Sequence, residues 1–377
     1  MRPLRIHFVG LKGVPATYGG VERAVEEIGT RLAARGHEVT VHCRDHYTPA
    51  ELTAHRGMLL RRERTIRTKR LDTLSHALVG LVQACRARPD VIGLHNYPNG
   101  PLAWYARAAR VPVVLHLHGF EWGLDKWNPV DKLLMRLVLG SAVRAPNALT
   151  SVSAVQAAWI RDRTGREVLH IPNGVSPPEW ITRGERRGEL PADLAITPGE
   201  YVLVVSRLVP QKGVEHLIRA MRGSNLACPL VIVGDHNHAP EYAAMLRAEA
   251  GDDPRIRFAG YRYGDPLWSL YANCALFVLP SESEGMPLVL LEAMASRAAI
   301  LASDLPEVRD VGGESLVYFR SGDVADLTGR LEAWMSDPAG RRERGDSAWR
   351  RVSGRYTWER AADSFEELYL HLARIRT

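Results

Sequence analysis

Apolar, strand-like runs alternate with amphipathic, helix-like stretches along the whole of this 377-residue chain. IHFVG (from Ile6), EVTVHC, VIGLHN and VPVVLHLHG read as strands, and ALTSVS and EVLHIPN close the first half. Between them Val21, Ala24, Val25, Ile28 and Leu32 recur at helical spacing, as do Leu71, Leu74, Leu78, Leu81 and Cys85. A polar, Pro- and charge-rich stretch from Ser176 to Glu200 interrupts the pattern. It then resumes with YVLVVSR, a helix from Val214, PLVIVGD, IRFAGY, ALFVLP, a further helix, AAILASD and SLVYF. Strands joined through helices imply parallel sheets, so the fold class is α/β. The length suits two domains or one large one, with a sizeable core in each. The interruption divides the chain into two, at residues 1–180 and 181–355. Residues 356–377, with the segment YTWERAADSFEELYLHLARIRT, read as one closing amphipathic helix.

Composition narrows the function. A hydrophobic content of 46% and a charged content of 24% are those of an ordinary globular protein. The longest apolar stretches fall short of the roughly 18 residues of a membrane span, and the N-terminus has too short an apolar run for a signal peptide. Cys43, Cys85, Cys228 and Cys274 are scattered, with no C-x-x-C spacing. They read as small buried hydrophobes in a reducing compartment, which predicts a cytoplasmic protein. The net charge of +6 is unevenly divided. Residues 1–180 carry 25 Lys+Arg against 15 Asp+Glu, and the remainder 24 against 28. The excess peaks in RRERTIRTKR, Arg61 to Arg70. One reading is a solvated loop or edge strand. The other is a surface attracted to anionic lipid at the inner face of the membrane, or to a phosphate-bearing acceptor. No helix-turn-helix, zinc-finger or RNP-type motif is present to read nucleic acid.

The richest local pattern is SESEGMPLVLLEAMA, which follows the buried strand ALFVLP. Pro is favoured at a first helical position, so Pro287 is expected to open a helix rich in helix formers. Gly285 and the free N–H groups at that helix start would cradle an anion. Glu284 precedes the helix, and Glu292 lies more than a turn inside it. Two carboxylates on either side of a phosphate cradle suit a ligand with phosphates between two polyols, a nucleotide sugar. The alternative is an ordinary strand–turn–helix with two solvated glutamates.

At this point the chain resembles a family over nearly its whole length. SESEGMPLVLLEAMA is similar to the Glu-x7-Glu signature of retaining glycosyltransferases of the large glycogen-synthase-like group, family four. SRLVPQKGVEHLIRAM (Ser206 to Met221) resembles that family's donor-phosphate segment, IPNGV (Ile171 to Val175) its interdomain marker, and GVPATYGGVERAVEEIGTRLAARGHEVTV its N-terminal glycine loop and first helix. The resemblance implies the GT-B fold: two Rossmann-like domains facing across a cleft, with the last helix crossing back to the N-terminal domain. It implies a donor site in the C-terminal domain, formed with Gly285, Met286, Pro287, Leu288 and the two glutamates, and an acceptor site in the N-terminal one. The usual Gly-Phe-Gly after the first glutamate is Gly285-Met286-Pro287 here. The small-Gly pair ahead of the next strand is Ser296-Arg297, and the Gly-Gly after it is Asp304-Leu305. These departures bear on the identity of the donor sugar.

Arg207 and Lys212 follow the strand YVLVVS in a loop that opens a helix. Two cations outside the carboxyl end of a strand can neutralise a diphosphate, and Arg can do so bidentately. Surface charges flanking a helix are the alternative reading. With no Asp-x-Asp in the chain, cations and helix N-termini are left to stabilise a departing nucleoside diphosphate without a metal. Gly19 and Gly20 precede the first helix and allow close approach of the backbone to a ligand; a plain turn is the alternative. The resemblance puts this loop, with Tyr18, near donor phosphate and acceptor. His118 ends the strand VPVVLHLHG, and the resemblance carries to it the histidine that approaches the donor sugar; His116 and His95 are weaker candidates. HLHGFEWGLDKW is similar to a subgroup that includes rhamnosyltransferases, with Glu121, Trp122, Lys126 and Trp127 facing the acceptor. The tryptophans could equally pack. The Asp235–His238 cluster lacks a credible metal set, and no G-x-S-x-G elbow is present.

The expectation is a retaining, metal-independent glycosyltransferase. It would move a hexose-type sugar from a nucleoside-diphosphate sugar to a saccharide or lipid-linked acceptor, in cell-surface polysaccharide or glycoconjugate biosynthesis. The rivals are a nucleotide-sugar epimerase and a non-catalytic carbohydrate- or membrane-binding protein. The epimerase would consume donor without acceptor. The non-catalytic protein should have lost Arg207, Lys212 or Glu284.

Overall fold

The computed structural model describes residues 2–17, 19–68, 71–119, 138–183, 190–234 and 239–375. Tyr18, Glu121, Trp122, Lys126, Trp127, the 235–238 cluster, and Lys69 and Arg70 of the basic run lie outside the described residues. The chain divides into two compact units. Unit 1 is Met1–Gly174 with Trp358–Thr377, and unit 2 is Val175–Thr357. The first boundary therefore falls ahead of residue 180. The Val175 N–H already donates to the Tyr356 carbonyl of unit 2, at 3.0 Å.

Unit 1 is built on an eight-stranded sheet. Its strands are β1 (Arg5–Val9), β2 (Glu38–Arg44), β3 (Ala54–His55), β4 (Met58–Glu63), β5 (Val91–His95), β6 (Val113–Leu117), β7 (Ala148–Ser151) and β8 (Leu169–His170). The order is β3-β4-β2-β1-β5-β6-β7-β8, parallel except for the β3–β4 pair. All residues of β5 and β6 are buried, which is why these strands read as continuous apolar runs.

Helix α1 (Gly20–Ala34) buries Ala24, Val25, Ile28 and Leu32 as its spacing predicts. Helix α2 (Leu71–Arg86) has the expected period, and Leu81 and Cys85 of the expected stripe face inward, but the buried face is rotated away from Leu74 and Leu78. Ala77, Leu81, Ala84 and Cys85 are buried, while Leu74 and Leu78 are 47% and 45% exposed. Close packing explains the rotation. A Cβ added to Gly80 would lie 3.3 Å from both His42 Cβ and Val9 Cγ1, so the small residues Ala77, Gly80 and Ala84 take the side against the sheet.

The last helix, Trp358–Ile375, belongs to unit 1. It buries Trp358, Ala361, Ala362, Phe365 and Tyr369, and this apolar face supplies most of the attachment. Arg31–Glu359 (2.8 Å), Arg35–Asp363 (2.6 Å), Arg35–Glu366 (2.6 Å) and His37–Glu366 (2.8 Å) line its rim against α1 and its end. The three arginine pairs are exposed and add roughly 0–1 kcal/mol each.

Unit 2 carries a six-stranded, all-parallel sheet. Its strands are β9 (Val202–Val205), β10 (Leu230–Val233), β11 (Ile256–Gly260), β12 (Leu276–Leu279), β13 (Ile300–Ser303) and β14 (Val317–Phe319), in the order β11-β10-β9-β12-β13-β14. Its helices close an apolar core around Val202, Val204, Leu217, Ile218, Leu276 and Val278. All four cysteines are free. Cys43 and Cys85 are buried as expected, but Cys228 and Cys274 are only half-buried. Among the described residues no helix is long and apolar enough to cross a membrane.

Candidate donor site

Unit 2 has its topological switch between β9 and β12. From β9 the chain proceeds to β10 and β11 on one side, then returns to β12 on the other. Open α/β sheets bind ligands outside the carboxyl ends of the strands at such a point. Two loops emerge there. After β9 come Ser206 and Arg207, a single 3-10 turn at Pro210–Lys212, and the helix Val214–Gly223. After β12 come residues 280–287 and the helix Leu288–Ala295.

The loops are stitched together by backbone. The Glu282 N–H donates to the Gln211 carbonyl at 2.9 Å. Gly213, at φ 60°, passes so close to Pro280 that an added Cβ would stand 2.2 Å from its carbonyl oxygen. His216 Nε2 and Glu282 Oε1 meet at 2.9 Å beside the crossing.

This crossing brings two of the expected site residues together. Lys212 Nζ donates to Glu284 Oε1 at 2.5 Å, and Ser281 Oγ donates to the same oxygen at 2.6 Å. The Glu284 side chain is 6% exposed and that of Lys212 17%. Arg207 is exposed, and its guanidinium makes no ion pair with any described residue. The loop thus presents one tethered cation and one unpaired cation.

Pro287 is the N-cap of its helix, extended at φ −70° and ψ 124°, rather than the first helical residue. The helix begins at Leu288, with no side chain capping it, so N–H groups at its start remain available to an anion. Met286 and Pro287 are buried, while Gly285 and Leu288 are half-buried. Glu292 lies further along, half-buried, and accepts a hydrogen bond from Tyr271 OH at 3.0 Å. Burial first, then the Glu292 charge, holds the Tyr271 phenol well above its ordinary range, so it remains a donor.

Three further residues of the site carry weaker sequence signals. Ser281 stands in the Ser-x-x-Glu spacing, which permits a local side-chain bond. Tyr271 comes from another helix, Asp265–Asn273, and has no local signal. Glu307 is raised above the usual carboxylate range, by burial and also by the charge of Glu284.

In unit 1, Gly19 is the N-cap of α1 at φ 106° and Gly20 is its first residue. No side chain caps this helix start. Glu22 accepts the Lys12 N–H at 3.0 Å, and Glu26 accepts the Ala16 N–H at 2.6 Å. Both glutamates are buried and pin the loop ahead of the helix. His118, just past β6, lies 3.0 Å through Nε2 from Nδ1 of His95, at the end of β5. His116 Nδ1 meets Thr150 Oγ1 at 2.7 Å, and its ring stands edge-on to His118, 4.4 Å between centroids. Burial pushes His118 down to about 3 and holds His95 and His116 well below their ordinary value, so all three rings are neutral near pH 7. Among the described residues no three His, Cys, Asp or Glu side chains gather in a way that could hold a metal ion.

The family model for glycosyl transferases group 1 matches residues 187–351, and that for the glycosyl transferase 4-like domain matches residues 19–174. A lipopolysaccharide core biosynthesis mannosyltransferase of Rhizobium leguminosarum bv. viciae is 32% identical over 275 residues, 63% of this chain and 75% of that protein. The chain belongs to the group 1 glycosyltransferases. A glycogen synthase of Mycobacterium tuberculosis is 26% identical to this glycosyltransferase, over 98% of the chain and 95% of that protein. The crystal structure of Anabaena HepE in complex with UDP-glucose superposes with a TM-score of 0.78, covering 98% of this chain and 100% of that one at 19% identity. The glycosyltransferase therefore has the two-domain GT-B fold.

Proposed function

We propose that this glycosyltransferase moves a hexose-type sugar from a nucleoside-diphosphate sugar to a saccharide or lipid-linked acceptor. The transfer retains anomeric configuration, uses no metal, and serves cell-surface polysaccharide or glycoconjugate synthesis in the cytoplasm. The observation that carries the reading is the Lys212–Glu284 pair beside the unpaired Arg207, at the carboxyl ends of β9 and β12. The mannosyl and glycogen-synthesising relatives, and the UDP-glucose bound to HepE, support this class of donor.

In this scheme Arg207 and Lys212 neutralise the diphosphate, Glu284 meets the sugar and Glu292 the ribose. As the donor's anomeric C–O bond breaks, the acceptor oxygen attacks on the same face and its proton passes to the departing phosphate. His118 is assigned to the donor sugar. Tyr18, Glu121 and Trp122 are assigned to the acceptor.

The test is calorimetric affinity for the bare nucleoside diphosphate. Arg207→Ala and Lys212→Ala should each lose about 1.5–3 kcal/mol, a charge-assisted contact apiece. Parent-like binding by both variants places the donor elsewhere. Turnover should persist in excess chelator. Complete loss restored by Mg²⁺ or Mn²⁺ refutes the metal-free scheme, and donor consumption without acceptor points to an epimerase.

A further inference from the structure

Two observations on unit 1 are left over by the donor site. The outer face of α2 is apolar, and the segment leading into it is basic. Leu74 and Leu78, at i and i+4, share one exposed side of the helix. Ile66, 55% exposed, is fastened beside them. Its N–H donates to Ser75 Oγ at 3.0 Å, Thr65 Oγ1 donates to Asp72 Oδ1 at 2.6 Å, and the Asp72 N–H donates to the Thr68 carbonyl at 3.1 Å. The Ile66 backbone is thereby anchored on the helix beside the two exposed leucines. Isolated exposed aliphatics are ordinary, whereas adjoining ones with a polar rim mark an interaction site.

The rim here is cationic. Arg61, Arg62, Arg64 and Arg67 are all exposed. Arg61 and Arg64 make no ion pair with any described residue. Arg61 emerges on the α2 side of the sheet, because it is in register with His42, whose Cβ faces Gly80 of α2. The carboxylates close by are already engaged: Asp45 with Arg67, Glu63 with His42, and Asp72 with Arg44. The surface is therefore apolar at its centre and basic at its edge.

We propose that unit 1 docks on an anionic phospholipid bilayer through this face. Ile66, Leu74 and Leu78 enter the boundary between headgroups and acyl chains, and Arg61 and Arg64 reach the lipid phosphates. The charge matches the headgroups, and the aliphatic side chains match the acyl boundary. A soluble polyanion would use the arginines and leave the leucines in water. The proposal goes beyond the donor chemistry and does not depend on it.

Co-sedimentation of the full chain with vesicles of phosphatidylcholine, alone or mixed with phosphatidylglycerol, tests it. Binding is expected to the mixed vesicles and to weaken with salt. Arg61→Ala/Arg64→Ala should reduce partitioning by about thirtyfold, at about fivefold per arginine near the surface. Leu74→Ser/Leu78→Ser should reduce it by about tenfold or more through lost apolar insertion. Both pairs are exposed, so thermal melting should be unchanged, which separates lost docking from lost folding. Equal binding to neutral vesicles, or no binding to either kind, overturns the proposal. A loss in the arginine variant with none in the leucine variant also overturns it, in favour of a soluble polyanionic partner. So does an unchanged arginine variant.

Discussion

Glu284 receives Lys212 and Ser281 on the same oxygen, Oε1. In the proposed scheme Oε2 is therefore the oxygen left to meet a hydroxyl of the donor. The substitution Glu284→Gln should lower turnover on the order of tenfold to a hundredfold, the worth of one charged hydrogen bond. Affinity for the bare nucleoside diphosphate should hold or rise, because Lys212 loses the anion that competes for it. Glu292→Gln should do the opposite and weaken the nucleotide. Calorimetry on the two variants decides between the roles, and a weaker nucleotide in Glu284→Gln alone reverses them. The two carboxylates and the two cations were legible in the sequence because the Glu-x7-Glu spacing and the Arg-x4-Lys loop are local. Tyr271 was not, because its contact with Glu292 spans two helices and depends on how they pack.

At the scale of elements, the site rests on one backbone crossing. Gly213 sits at a positive φ with no room for a side chain against Pro280. Gly213→Ala should cost on the order of 1–3 kcal/mol from left-handed backbone strain alone, and more from the clash. It should also weaken nucleotide binding by parting Lys212 from the loop after β12. A thermal melt and the same calorimetric titration check both effects; a variant with parent-like melting and binding would show that the crossing is not needed.

Element types followed from periodicity, since a 3.6-residue repeat and a continuous apolar run differ in the sequence itself. Orientation did not follow. In α2 two of the leucines that mark the period, Leu74 and Leu78, are not residues that pack, because Gly80 and its small neighbours permit a closer approach to β1 and β2. Pro287 shows the same limit at a boundary, where proline's fixed φ suits the cap as well as the first turn.

For the whole molecule, the distribution of buried histidines makes unit 1 acid-sensitive. Burial pushes His7 down to about 3 and His76 down to about 4, in each case as the leading cause. Above the ordinary value of 6.5 neither the folded nor the unfolded ring carries a proton, and no stability is lost. As pH falls below it, the unfolded chain takes up protons that the folded rings refuse. Stability then declines down to the folded values, at about 1.4 kcal/mol per pH unit for each ring. His76 is fully buried, and neither ring nitrogen has a partner among the described residues. His76→Leu should therefore leave melting near neutral pH unchanged or raised, and should reduce the loss on moving to about pH 5 by about 2 kcal/mol. Melting curves at the two pH values test this. An acid shift as large in the variant as in the parent would exonerate His76.

The helix Trp358–Ile375 has a further consequence for biosynthesis. On the ribosome, every strand of the first unit emerges before the second unit begins, yet the face of β5 and β6 that receives Phe365 and Tyr369 stays uncovered until the segment after Thr357 has been translated. The second unit is contiguous and can close first. The first must wait with an apolar surface open, a period in which a chaperone would find it. A nonsense mutation near codon 358 would thus spare the second unit and leave its companion permanently unfinished.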